Sequence, residues 1–109
     1  MLKVWTGRVG AHRGSDGLDI TVKSGDKVFA PTWSMVMDYK ACKITDAQYT
    51  DAYLAMMRQS YFECRGRWDE LLAMDEVTLL CYCKAGLFCH RTLLAGILVK
   101  LGATYLGER

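Results

Sequence analysis

Between Cys81 and Arg91 the chain places three thiols, an imidazole and a guanidinium within eleven residues: Cys81, Cys83, Cys89, His90 and Arg91. These side chains can coordinate metals, attack electrophiles, move protons and pair with anions. Their setting is a junction between two elements. Val77 to Cys83 is an apolar run, Lys84-Ala85-Gly86 is a short loop, and Cys89-His90-Arg91 opens an apolar helix from Thr92 to Leu101. At a strand-to-helix turn the first helical amides lack intrahelical partners and carry the positive end of the helix dipole. A phosphate or carboxylate is expected there, with Arg91 making a two-point contact, His90 and Thr92 donating beside it, and Cys83 and Cys89 at its edge.

The same residues admit two other chemistries. Cys89, at a helix N-terminus beside cations, is in a setting that favours the thiolate, which makes it the candidate catalytic nucleophile. The spacing does not fit a phosphatase loop, because Cys83 lies eight residues before Arg91 and Cys89 two. Cys81, Cys83, Cys89 and His90 also form a four-ligand set for zinc, and hence a zinc-stabilised interaction module. Strand geometry counts against that set. Alternate residues such as Cys81 and Cys83 stand nearly 7 Å apart at about 3.3 Å rise each, and the usual two-residue spacer is missing. Cys42 and Cys64 fall on helical stretches and read as core or surface thiols.

A second basic cluster lies near the start. Gly7 to Gly17 is a glycine-rich loop carrying Arg8, His12 and Arg13. Its spacing is not the dinucleotide fingerprint, and a strand rather than a helix follows it. If the first strand lies beside the Val77 strand, Arg8, His12 and Arg13 face the same crevice as Arg91; otherwise they are solvated loop residues.

The elements that must position these groups follow from patterning. Lys3 to Val9 reads as a strand, and Leu18 to Val22 alternates as a half-buried strand that Ser24-Gly25-Asp26 turns back into Lys27 to Ala30, a hairpin. Pro31-Thr32 starts a short helix with Trp33, Val36, Met37 and Lys40 on one side. Thr45 and Gln48 form a capping box, after which Tyr49, Ala52, Tyr53, Met56 and Met57 repeat as a core stripe. Arg65-Gly66 interrupts that helix. Val77 to Cys83, apolar on both faces, predicts a central strand with helices on each side. Gly102 caps the last helix, and Ala103 to Leu106 adds a final strand. The class is α/β: a small three-layer, Rossmann-like domain spanning 1–109, with a partly parallel sheet flanked by helices.

Composition limits the alternatives. Of 109 residues 51% are hydrophobic and one is proline, which permits a core and argues against disorder. The formal charge of +2 is too small to argue for nucleic acid. No stretch approaches the roughly 20 apolar residues of a membrane span, so no membrane partner is expected. Met1 to Gly7 lacks the apolar run of a signal peptide, and five cysteines, an odd number, then point to reduced thiols in a cytoplasm.

The run from Val77 through Cys81, Cys83, Phe88, Cys89-His90-Arg91, Leu93, Leu94, Ala95 and Leu98 to Gly102 resembles the family called domain of unknown function 488. Its hallmark is a hydrophobic strand, a cysteine near the strand end, and Cys-His-Arg opening a helix. Tyr39-Lys40, Ile44-Thr45, Tyr49 and Tyr53 resemble the mid-region of short members, many from bacteria and their phages. The likeness covers residues 30 to 105 well and the first 25 weakly. Cys83 and Lys84 stand where many members carry an acidic residue, so no family role is carried over there. The resemblance implies a three-layer α/β fold and, for a phage-borne gene, the host cytoplasm; it implies no settled activity.

The leading functional expectation is a binding protein for a small anionic, phosphate-bearing, nucleotide-like ligand, with sequestration without turnover as a variant of it. The further partner expectation is a homodimer, and no cofactor is expected. The sequence leaves open whether the protein is an enzyme.

Overall fold

The computed structural model describes residues 1–10, 14–82 and 88–109. In chain order the elements are β1 (Lys3–Arg8), β2 (Gly17–Asp19), α1 (Trp33–Lys40), α2 (Asp46–Glu63), α3 (Arg65–Leu72), β3 (Glu76–Cys81), α4 (His90–Lys100) and β4 (Thr104–Glu108). The strands form one sheet in the order β2-β3-β1-β4, and every pairing is parallel. Parallel neighbours need long crossovers, usually helical. Here β3, α4 and β4 make such a unit, with β1 lying between its two strands.

Helix α4 lies against β1, β3 and β4, α2 packs on α4, and α1 and α3 pack on α2. The four-stranded parallel sheet with its four flanking helices makes the expected three-layer-like α/β fold. Val4, Val77 and Leu79 face Leu94, Ala95 and Leu98 of α4 in one buried cluster that also takes Tyr49, Tyr53, Met57, Trp68 and Phe29. The tyrosine and methionine stripe of α2 is therefore core, as its period implies. The Phe29 and Trp68 rings meet edge-on at 4.9 Å.

Local signals hold where local chemistry decides. The Thr45 hydroxyl accepts from the Gln48 amide at 3.1 Å, and the Gln48 side chain accepts from the Thr45 amide at 2.8 Å. The break between α2 and α3 falls at Cys64, which ends one helix and begins the next. Gly102 takes a φ of +108°, the left-handed position that ends α4.

Two expectations change. The sheet is parallel throughout rather than in part, because the hairpin does not form. The strand expected over Leu18 to Val22 is confined to Gly17–Asp19, and Leu18 pairs with Leu79 of β3 in parallel. Beyond it the Asp19 carboxylate accepts from the Thr21 amide at 2.9 Å and the Ser24 hydroxyl at 2.6 Å, winding the chain into a tight loop. Gly25 is required there, since a Cβ would lie 2.3 Å from the Thr21 nitrogen and 2.7 Å from the Asp19 oxygen. Asp26 then accepts from the Val28 amide at 2.9 Å and turns Phe29 into the core.

Second, the cover over buried Thr78 in β3 is a polar cluster where the apolar run predicts a helix. Its hydroxyl donates to Asp16 at 2.8 Å, and Arg109 reaches Asp16 and Glu76, each at 3.2 Å. The Arg109 guanidinium also stacks 4.1 Å above the Trp5 ring. The residues that fall on one side of α1 are not core, for α1 contributes no buried residue. Among the described residues no helix is long and apolar enough to cross a membrane.

Candidate functional site

All four strands run the same way, so their carboxyl ends share one edge, where α/β sheets open a crevice. Cys81 ends β3 there. Cys89 is the residue before α4, in extended backbone with no side-chain cap bond, and His90 is the first residue of the helix. The Cys89 sulfur lies 2.8 Å from that of Cys81 and 3.6 Å from His90 Nδ1. All three side chains are buried, and their donor atoms lie within 4.8 Å of one another.

The histidine is held from behind. Its Nε2 stands 2.6 Å from the Ile20 carbonyl oxygen, which can only accept, so Nε2 carries the proton in that bond. In a neutral ring the lone pair is then on Nδ1, the nitrogen turned toward Cys89. The Tyr53 ring packs beside the imidazole at 5.6 Å, and its hydroxyl donates to the Phe29 carbonyl at 2.7 Å. Burial, reinforced by Tyr49, Cys89 and Cys81, pushes the Tyr53 phenol well above its ordinary range. Tyr53 therefore stays neutral and acts as a fixed wall.

Above these three residues is a cavity of about 510 Å³. Its floor includes Cys81, Cys89 and His90; Thr21, Val22 and Lys23 line one side and Trp33, Val36, Met37 and Lys40 of α1 the other. Tyr39, Tyr49 and Phe88 form a joined aromatic wall, with ring centres 5.3 to 5.6 Å apart. The stripe that the sequence places on one side of α1 thus faces a cavity, which explains why none of it is buried. Lys23, Tyr39 and the loop after β2 are parts of the site that sequence reasoning missed. The spare amphipathic face of α1 was the available signal for this wall.

The predicted site residues separate into groups. Cys89 and His90 come together as expected, and Cys81 joins them. The distance that separates alternate strand residues does not apply to Cys81 and Cys89, because one ends β3 and the other precedes α4. Arg8 aligns with Cys81 across β1 and β3, so the first strand does lie beside the Val77 strand. It is exposed and donates to the Tyr82 carbonyl at 3.3 Å. Thr92 is exposed and donates to the Cys89 carbonyl at 2.8 Å. Cys83, His12 and Arg13 lie outside the described residues. Cys42 is exposed and Cys64 half-buried, and neither borders the cavity.

Arg91 is placed differently from the solvent-facing anion contact expected of it. Its side chain is 1% exposed and is absent from the cavity wall. The Nε atom meets Glu108 of β4 at 3.2 Å, and the same carboxylate accepts from Thr6. The helical position after His90 points toward the neighbouring strand, so His90 and Arg91 serve opposite sides of the α4 terminus.

Fold and site together define a class: an α/β protein whose parallel sheet ends under a cavity floored by two cysteines and a histidine. The chain belongs to the DUF488-N3a family, described as the active DUF488-N3 subclade, whose family model matches residues 9–102. The match reaches further toward the amino terminus than the resemblance around Cys89-His90-Arg91 implied, and it takes in the cavity. No curated protein and no solved structure matches the chain.

Proposed function

We propose that the protein binds a small anionic molecule carrying a flat ring, a nucleotide or a compound of that type, in the cavity above Cys81, Cys89 and His90. The observation that supports this most is the cavity itself: about 510 Å³, with Trp33, Tyr39 and Phe88 in its wall and Lys23 and Lys40 at its exposed edge. Pockets of some 300 to 1,000 Å³ suit ligands of this size. A planar ring gains stacking contact on the aromatic wall, and the two lysines supply charge to an anionic group. The anion-binding role thus passes from Arg91, which pairs with Glu108, to the lysines.

Thermal shift with nucleoside mono-, di- and triphosphates tests this reading, with inorganic phosphate as the control. A ligand at 100 times its Kd stabilises by about 2.7 kcal/mol. Trp33 is 56% exposed, so Trp33→Ala should keep the fold and lose most of the shift. Absence of a shift with every nucleotide, or an equal shift in Trp33→Ala and Lys40→Ala, overturns the proposal.

The 3.6 Å contact between Cys89 and a His90 anchored on Ile20 favours a second reading, thiol catalysis with Cys89 as nucleophile. A nucleophile beside a base that a third group orients is the usual arrangement. Saturable alkylation of Cys89 well ahead of exposed Cys42 would support it; equal rates would remove it.

A further inference from the structure

The donor atoms of Cys81, Cys89 and His90 satisfy three demands of a transition-metal site at once. They converge within 4.8 Å, they are buried, and they come from two rigid elements, the end of β3 and the start of α4. We infer that these three side chains bind a zinc ion whose remaining coordination position faces the cavity. This goes beyond the ligand reading and rests on it only for the direction of that open position.

Two sulfurs and one imidazole nitrogen are a donor set that zinc accepts, and three protein ligands plus an open place are typical of reactive rather than structural zinc. Histidine ligands characteristically donate their other ring N–H to a carbonyl or carboxylate. His90 does so to Ile20 at 2.6 Å, which leaves Nδ1 as the ligating atom. Nothing in a simple thiol pair requires that arrangement. The sulfurs stand 2.8 Å apart, between the roughly 2.05 Å of a disulfide and the roughly 3.8 Å that tetrahedral zinc with bonds of about 2.3 Å imposes. Metal binding therefore opens the pair by about 1 Å, a side-chain adjustment.

The charges balance. Both thiols release their protons to solvent, so two thiolates and a neutral imidazole around Zn²⁺ give a net neutral centre suited to burial. Because all three ligands also line the cavity, an ion held there can polarise an oxygen of whatever occupies it. Metal binding and free-thiol catalysis are exclusive uses of Cys89, and metal content decides between them.

The test is elemental analysis of protein purified under reducing conditions without added metal. The expected result is about one zinc per chain, falling to near zero in Cys81→Ser and Cys89→Ser and unchanged in Cys42→Ser and Trp33→Ala. Should the site variants fail to fold, metal-free wild type refilled with cobalt gives the same information. A thiolate-to-cobalt absorption band reports the sulfurs, and a shift of the visible bands on adding azide reports the open position. Wild type that is metal-free after that purification overturns the inference, as does zinc retained in both cysteine variants. Cobalt bands indifferent to azide overturn the open position. Trp33→Ala separates the two proposals, since it should lose the nucleotide shift and keep the zinc.

Discussion

His90 Nε2 sits 2.6 Å from the carbonyl oxygen of Ile20, a residue 70 positions earlier that immediately follows β2. The bond ties the first turn of α4 to the loop lining the other side of the cavity, and it sets which imidazole nitrogen faces Cys89. His90→Phe keeps an aromatic ring and removes the donor, leaving the Ile20 carbonyl without this bond at a cost of about 1 to 3 kcal/mol. Urea denaturation of the variant measures this directly. An unchanged midpoint would mean the bond holds nothing together.

Glu108 compensates part of the charge of the buried Arg91 guanidinium. Removing one partner of a buried ion pair weakens the compensation of the charge that stays, and typically costs about 3 to 5 kcal/mol. Glu108 is partly open to water, so Glu108→Ala is expected at the lower end, about 3 kcal/mol. Glu108→Gln, which still accepts from Arg91 and Thr6, should lose less. Equal losses in the two variants, read from chemical denaturation, would show that charge is not the issue.

Two glycines should respond oppositely to alanine. At Gly25 the new Cβ meets backbone atoms at 2.3 to 2.7 Å, so Gly25→Ala must displace the loop that lines the cavity. The expected result is a lowered melting temperature and loss of any nucleotide shift. Gly96 is exposed within α4 and a Cβ there has nothing within 4 Å. Gly96→Ala should therefore stabilise by up to about 1 kcal/mol through helix propensity. A loss at Gly96 would mean that face of α4 is covered.

Asp19 gives the fold a component of acid sensitivity. Burial raises its carboxyl pKa, but hydrogen bonds from Ser24 and Thr21, with His90 nearby, outweigh burial and hold it below the ordinary carboxylate value. A group whose folded pKa is lowered stabilises fully above its unfolded value, near 3.9, and loses that stabilisation as pH falls through the folded value. Asp19→Asn should thus be less stable than wild type at neutral pH, with the difference shrinking below about pH 4. Stability curves that stay parallel into acid would assign the loss to geometry instead of charge.

Much of the fold was legible because its causes are local. The capping box of Thr45 and Gln48, the stop at Gly102, and the apolar run into Cys81 each depend on neighbours a few residues away. The Cys-His-Arg sequence at the head of a helix is enough to indicate the family and the position of the site. The tertiary structure decided the rest, because periodicity identifies a face without saying what that face meets. The α1 stripe from Trp33 to Lys40 looks the same whether it meets a core or a cavity. Leu18 alternates equally well in a hairpin or beside Leu79 in a parallel pair. Arg91 and His90 are adjacent in sequence, yet the 100° turn between successive helical residues sends one to Glu108 and the other to Cys89 and Ile20. The approach of Cys81 to Cys89 brings the end of β3 to the start of α4, a proximity set by the packing of α4 on the sheet and not by the spacing of the cysteines.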